Sequence, residues 1–247
     1  MRAQGPLDHI WISTLHAQLE NETPLHNQIL ENITRSLNQS NANAIETLKS
    51  ARKLVKKMPK SMQVQINSCL ANNLALLYFR MDSLWSAQKW LQTAAQEEEA
   101  AFGSVDAATR LRQAAVLSKL NRHSEALVEC RAAISVLHSG TIDDDEQNDD
   151  SGTIHDGERH DGNVKDKLSA LLAVAYHNLA LELAHTLQFC ESSSLIRVAL
   201  ILAEKALASN HHWVEHVRSS YSQLSELHLK TIFFQPGDSH YHQPLRK

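Results

Sequence analysis

Small, large and apolar residues recur along this chain at one fixed spacing. Counted from a small residue at zero, a large residue follows at +3, a small one at +12, an apolar one at +16 and a small one at +19. Ala75, Tyr78, Ala87, Leu91 and Ala94 form one copy. Ala114, Leu117, Ala126, Cys130 and Ala133 form the next, and Ala180, Leu183, Ser192, Ile196 and Ala199 a third. Steps of three and four residues within each half predict two amphipathic helices per copy. Copies of this size imply stacked supersecondary units rather than one closed globule.

The flanking sequence extends the pattern. A short helix is predicted over 8–20, and a second over 25–37, where Leu25, Ile29, Ile33 and Leu37 share one strip just after Pro24. A helix from Ala44 to about Lys57 ends near Pro59. Ala44, Leu48 and Ala51 repeat the second-helix spacing, so 25–58 reads as a degenerate pair. Pairs follow over 62–80 with 83–101, closed by Gly103, and over 106–120 with 124–138, closed by Gly140. The run 141–162, TIDDDEQNDDSGTIHDGERHDG, is too polar to offset its ordering entropy and is predicted to be disordered. Helices resume over 164–185, 190–209 and 212–232. The predicted organisation is an N-terminal segment (1–24), helical pairs (25–138), an acidic insertion (139–163), a further pair (164–210), a capping helix (211–234) and a loose tail (235–247).

Composition supports an all-α chain. Hydrophobic residues make up 43%, while Gly numbers 7 and Pro 5, and no long Val/Ile/Thr-rich alternation occurs. The net charge of −4 is unevenly spread: 141–162 holds nine acidic residues and one basic, Arg159, and the remaining residues hold 23 basic against 19 acidic groups. Cys69, Cys130 and Cys190 are odd in number and form no C-x-x-C pair, which points to a reducing compartment. The start MRAQGPLDHIW has no signal-peptide apolar core. The most apolar run, Leu195 to Ala208, is interrupted by Arg197, Glu204 and Lys205, so no membrane span is expected. A cytoplasmic location is the expectation.

The segment NNLALLYFRMDSLWSAQKWLQTA resembles a tetratricopeptide (TPR) repeat, and KLNRHSEALVECRAAI and YHNLALELAHTLQFCESSSLIRVAL are similar to the same unit. The NNLA-x-x-Y run and the Gly-containing linker resemble the kinesin-light-chain variety. The likeness covers roughly 62–138 and 168–208, and 25–58 weakly. Asp82, Asn121 and Leu187 stand at the tight interhelical turn where the family usually has Gly. Leu fits a left-handed backbone poorly, so the third turn is expected to differ.

The resemblance implies a TPR-like α-α solenoid of three to four helical pairs plus a C-terminal capping helix. It implies a non-catalytic scaffold or adaptor for a protein or peptide, and leaves a cytoskeletal or ciliary assembly open. In such stacks the first helix of each pair lines a concave groove. The groove positions here are Asn72, Asn73, Leu76, Phe79 and Arg80; Leu111, Arg112, Ala115, Ser118 and Lys119; and His177, Asn178, Leu181 and His185. Apolar sockets flanked by Asn and positive charge suit an extended or helical peptide. Asn73, Arg112 and Lys119 match only fragments of the chaperone-carboxylate clamp of some TPR domains. The alternative is an accessory subunit docking through end faces, which an exposed Trp11, Trp85, Trp90 or Trp213 would favour.

Other chemistry is sparse. Lys49, Arg52, Lys53, Lys56, Lys57 and Lys60 fall within an arc of ~140° at helical spacing, either an anion-binding face or a solvated helix end. No aromatic residues interleave with them, so no nucleic-acid partner is expected. His212-Trp213-Val214-Glu215-His216 matches the H-x-x-E-H zinc-hydrolase spacing, a remote alternative. An EF-hand-like register from Gln147 lacks the first Asp. Cys130 reads as a small core residue rather than a nucleophile. No catalytic residue, metal or cofactor is expected.

Overall fold

The computed structural model describes residues 28–29, 31–32, 40–145, 161–207 and 211–233. The helix expected over 8–20, the EF-hand-like register and the tail 235–247 lie outside the described residues. Eight helices run through the rest: α1 (Asn41–Val55), α2 (Lys60–Arg80), α3 (Leu84–Phe102), α4 (Ala107–Lys119), α5 (His123–Asp145), α6 (Asp161–His185), α7 (Phe189–Ala206) and α8 (His212–Phe233). Residues 28–29 and 31–32 are also helical, and no strand occurs among the described residues.

The repeat spacing is a packing rule. Its small residues at zero, +12 and +19 are buried in all three copies, as are Leu91, Cys130 and Ile196 at +16. Ala44, Leu48 and Ala51 of α1 are fully buried at the equivalent positions, with Ile29 packed against them. Small side chains let the paired helices approach closely, and the large residues fill the gaps between them. Ser192 takes an Ala position without orphaning its hydroxyl, because Oγ donates to the Ala180 carbonyl at 2.7 Å. Contacts run mainly between neighbours in chain order, with α4 also touching α6. The core is accordingly a chain of overlapping clusters, from α1–α2 through α2–α3–α4 to α4–α8.

Local signals end the helices. Gly103 caps α3 with φ +70°, the left-handed cap its position predicts. Asp106 opens α4 by accepting the Ala108 N–H at 2.7 Å. The side-chain amide of Gln63 donates to the Met58 carbonyl beyond the end of α1. The fifth helix continues past His138 and Gly140 to Asp145, and α6 begins at Asp161. Mid-helix Gly costs about 1 kcal/mol relative to Ala but, unlike Pro, does not enforce a stop. Residues 146–160 of the acidic run lie outside the described residues.

The third interhelical turn does not differ from the others. Asp82, Asn121 and Leu187 have φ of 59°, 58° and 64°. In each turn the next residue donates back to the +3 carbonyl: Ser83 to Tyr78, Arg122 to Leu117, Gln188 to Leu183. Two backbone hydrogen bonds per turn, with the helix pair clamped behind them, impose one geometry whatever the residue. Leu187 therefore carries strain, and its side chain is 75% exposed, so burial gives little back. Leu187→Gly should stabilise the protein by about 1 kcal/mol and raise its Tm in thermal denaturation.

Candidate functional site

Register along the first helices decides which groove candidates are reachable. The −3 row, Asn72, Leu111 and His177, is 2%, 0% and 4% exposed. These three do not line a groove; they pack between neighbouring helices. Asn72 Nδ2 donates to Thr109 Oγ1 of α4 at 2.9 Å, and His177 Nε2 lies 3.2 Å from Ser220 Oγ of α8. Three neighbouring rows keep at least partial exposure, with Lys119 and His185 exposed and the other members half-buried. The rows are −2 (Asn73, Arg112, Asn178), +1 (Leu76, Ala115, Leu181) and +5 (Arg80, Lys119, His185). Phe79 and Ser118 at +4 are half-buried. The accessible rows run from α2 across α4 to α6.

Two buried carboxylates tie the pairs together, and neither stands out when one copy of the repeat is read alone. Glu98 is buried at +23, where the other copies carry Val55, Leu137 and Ala203, all buried. It accepts from Ser68 Oγ, from Thr109 Oγ1 at 2.8 Å and from the Asp106 N–H at 2.9 Å. Burial raises its carboxyl above the usual range, against those hydrogen bonds. Glu182 is buried at +2, where the other copies have Leu77 and Val116. Its Oε2 meets His123 Nδ1 of α5 at 2.8 Å, and His123 stacks on His185 with centroids 4.3 Å apart. Aligning the three copies would have exposed both as charges at core positions.

The basic face divides. Lys49 pairs with Glu46 at 3.1 Å. Arg52 bonds Glu97 Oε1 at 3.2 Å and lies 5.0 Å over the Trp90 ring, joining α1 to α3. Lys53, Lys56, Lys57 and Lys60 are exposed. Among the tryptophans, Trp213 is buried, Trp90 half-buried and Trp85 69% exposed beside exposed Met81; Trp11 lies outside the described residues.

Cys69 and Cys130 are buried, and burial pushes both thiols up to about 12, where they stay protonated. Cys190 is exposed. Asn73, a clamp fragment, spends its amide on the Cys69 carbonyl at 2.9 Å. His212, Glu215 and His216 stand exposed on α8, and among the described residues no group of three or more His, Cys, Asp or Glu is placed to hold a metal ion. No described helix is long and apolar enough to cross a membrane.

His177 makes the docking of α8 depend on pH. Ser220 donates to the His216 carbonyl at 3.1 Å, which leaves its oxygen to accept from a neutral His177 Nε2–H. Trp213 sits edge-on to the ring, and the His216 ring lies 5.3 Å away. Burial above all, helped by nearby His216 and opposed by the hydrogen bond with Asn178, holds this imidazole down to about 4. A depressed folded-state value gives stability that is present above the unfolded value near 6.5 and lost as pH falls toward 4. The raised Glu98 carboxyl acts oppositely: its contribution is present below the ordinary value of 4.5 and lost as pH rises through the folded value. Between pH 7 and 4 the wild type should lose about 3 kcal/mol more than His177→Gln in urea unfolding.

No family model and no curated protein matches the sequence. Among solved structures, the chain is similar to the crystal structure of BtubC (BKLC) from P. vanneervenii, with a TM-score of 0.57 and 14% identity over 99% of each chain. The likeness shows the fold: this chain is an all-α solenoid of stacked helical pairs.

Proposed function

We propose that the chain is a non-catalytic scaffold or adaptor that holds a segment of a partner protein along the first helices of its stacked pairs. One observation carries the reading. The −2, +1 and +5 rows stay accessible at equivalent positions in three consecutive pairs, while the −3 row beside them is buried. Those rows offer amides (Asn73, Asn178), apolar surface (Leu76, Leu181) and cations (Arg112, Lys119). That chemistry suits a peptide backbone with mixed side chains. The sequence resemblance to the kinesin-light-chain variety supports a cytoplasmic protein working inside a larger assembly, such as a cytoskeletal or ciliary one.

A second reading rests on Trp85 and Met81. Both are exposed at the first interhelical turn, just past Arg80, and a large exposed aromatic suits a protein contact. On that reading the chain is an accessory or regulatory subunit docking through an end face of the solenoid rather than along the first helices.

Affinity capture separates the two. Leu76→Ala/Lys119→Glu should keep the wild-type Tm and lose at least about 90% of partner recovery, a tenfold effect. Equal recovery of every partner by this variant contradicts the groove reading. Loss of the same partners with Trp85→Glu alone supports the accessory-subunit reading.

A further inference from the structure

One end of the solenoid is strongly polarised in charge. From Thr47 to Met81 the sequence has no Asp or Glu, yet it holds Lys49, Arg52, Lys53, Lys56, Lys57, Lys60 and Arg80. Lys49 and Arg52 are engaged by Glu46 and Glu97. Lys53, Lys56, Lys57 and Lys60 are exposed, and none forms an ion pair with a described residue. All four lie at the corner where α1 ends and α2 begins. No acidic side chain stands in the first turn of α2, and Lys60 is its first residue. The positive end of that helix dipole thus adds to the lysine field instead of opposing it.

The fold does not demand this charge. Positions equivalent to Lys53, Lys56 and Lys57 are Gln96, Glu99 and Ala100 in α3. They are Ser135, His138 and Ser139 in α5, and Ile201, Glu204 and Lys205 in α7. The last turns of the equivalent helices α3 and α5 carry no basic residue and that of α7 carries one, Lys205, so a helix C-terminus in this fold does not call for four lysines. Holding like charges this close costs stability that no ion pair among the described residues returns.

We propose that the α1–α2 corner is a docking surface for an extended acidic segment of a partner protein, separate from the accessible face of α2, α4 and α6. Lysines three and four apart on a helix lie about 5–6 Å from one another. Alternate residues of an extended strand lie about 6.6 Å apart on one side. A strand with Asp or Glu at every second position therefore matches the Lys53–Lys56 step at the end of α1, with Lys57 in the turn and Lys60 at the start of α2 adding charge at the same corner. The corner lacks what other polyanions need. It has no aromatic residue on α1 for stacking bases. Among its described apolar side chains, Val55 and Met58 are buried and Leu54 is packed against the core, which leaves little to insert into a lipid surface.

The test uses the full chain and a labelled peptide of alternating Glu and Ser. The wild type should bind the peptide, and binding should weaken as salt rises. Lys56→Glu/Lys57→Glu should weaken it at least about tenfold with Tm and helicity unchanged. Lys205→Glu and the groove variant Leu76→Ala/Lys119→Glu should bind it as the wild type does. Unchanged affinity in Lys56→Glu/Lys57→Glu, or an equal loss in Lys205→Glu, overturns the proposal. So does tighter binding to duplex DNA or to phosphatidylserine vesicles than to the peptide.

Discussion

Everything in this molecule depends on how closely two helices can approach within a pair. Ala75, Ala87 and Ala94, with their counterparts in the other copies, are the points of closest packing, and all are buried. A larger side chain at any of them would force the helices apart, at a cost of about 1–3 kcal/mol per site. That constraint fixes the angle of each pair and its turn. It also fixes which rows of the first helices are left over once pairs stack. The accessible face is what remains after close packing has claimed the rest.

Stacking by nearest neighbours gives a nearly one-dimensional molecule. Identity along it comes from departures. Glu98 places a carboxylate where α1, α5 and α7 place Val55, Leu137 and Ala203, and ties α2, α3 and the start of α4 together. Glu182 does the same between α5 and α6 through His123. His177 fastens the capping helix. Each junction has its own polar lock, which favours one order and register of the pairs over sliding. The charge is as uneven as the locks: cations crowd the α1–α2 corner, and carboxylates crowd the run between α5 and α6.

The repeat was legible in the sequence because it is steric: only close helix approach asks for small residues at these fixed intervals. The same spacing identified α1 as the second helix of a degenerate pair, and Ala44, Leu48 and Ala51 are buried accordingly. Which row of the first helices packs inward was not legible. Asn72 and His177 look like surface residues along the linear chain, because polarity alone does not reveal a partner on another helix. Thr109 and Ser220 supply those partners from 37 and 43 residues away. Leu187 misleads by the opposite route, since its own backbone preference loses to the clamp of the helix pair. Glu98 hides in the run Glu97-Glu98-Glu99, whose middle member alone is buried.

The central claim is that the leftover face of α2, α4 and α6 is where a partner lies. Site-specific photocrosslinking tests it most directly, with a benzophenone side chain at Leu76 or Leu181 compared with one at Val128 on the exposed side of α5. Partner adducts are expected from positions 76 and 181 and none from 128. Adducts from 128, with none from 76 or 181, would contradict the claim.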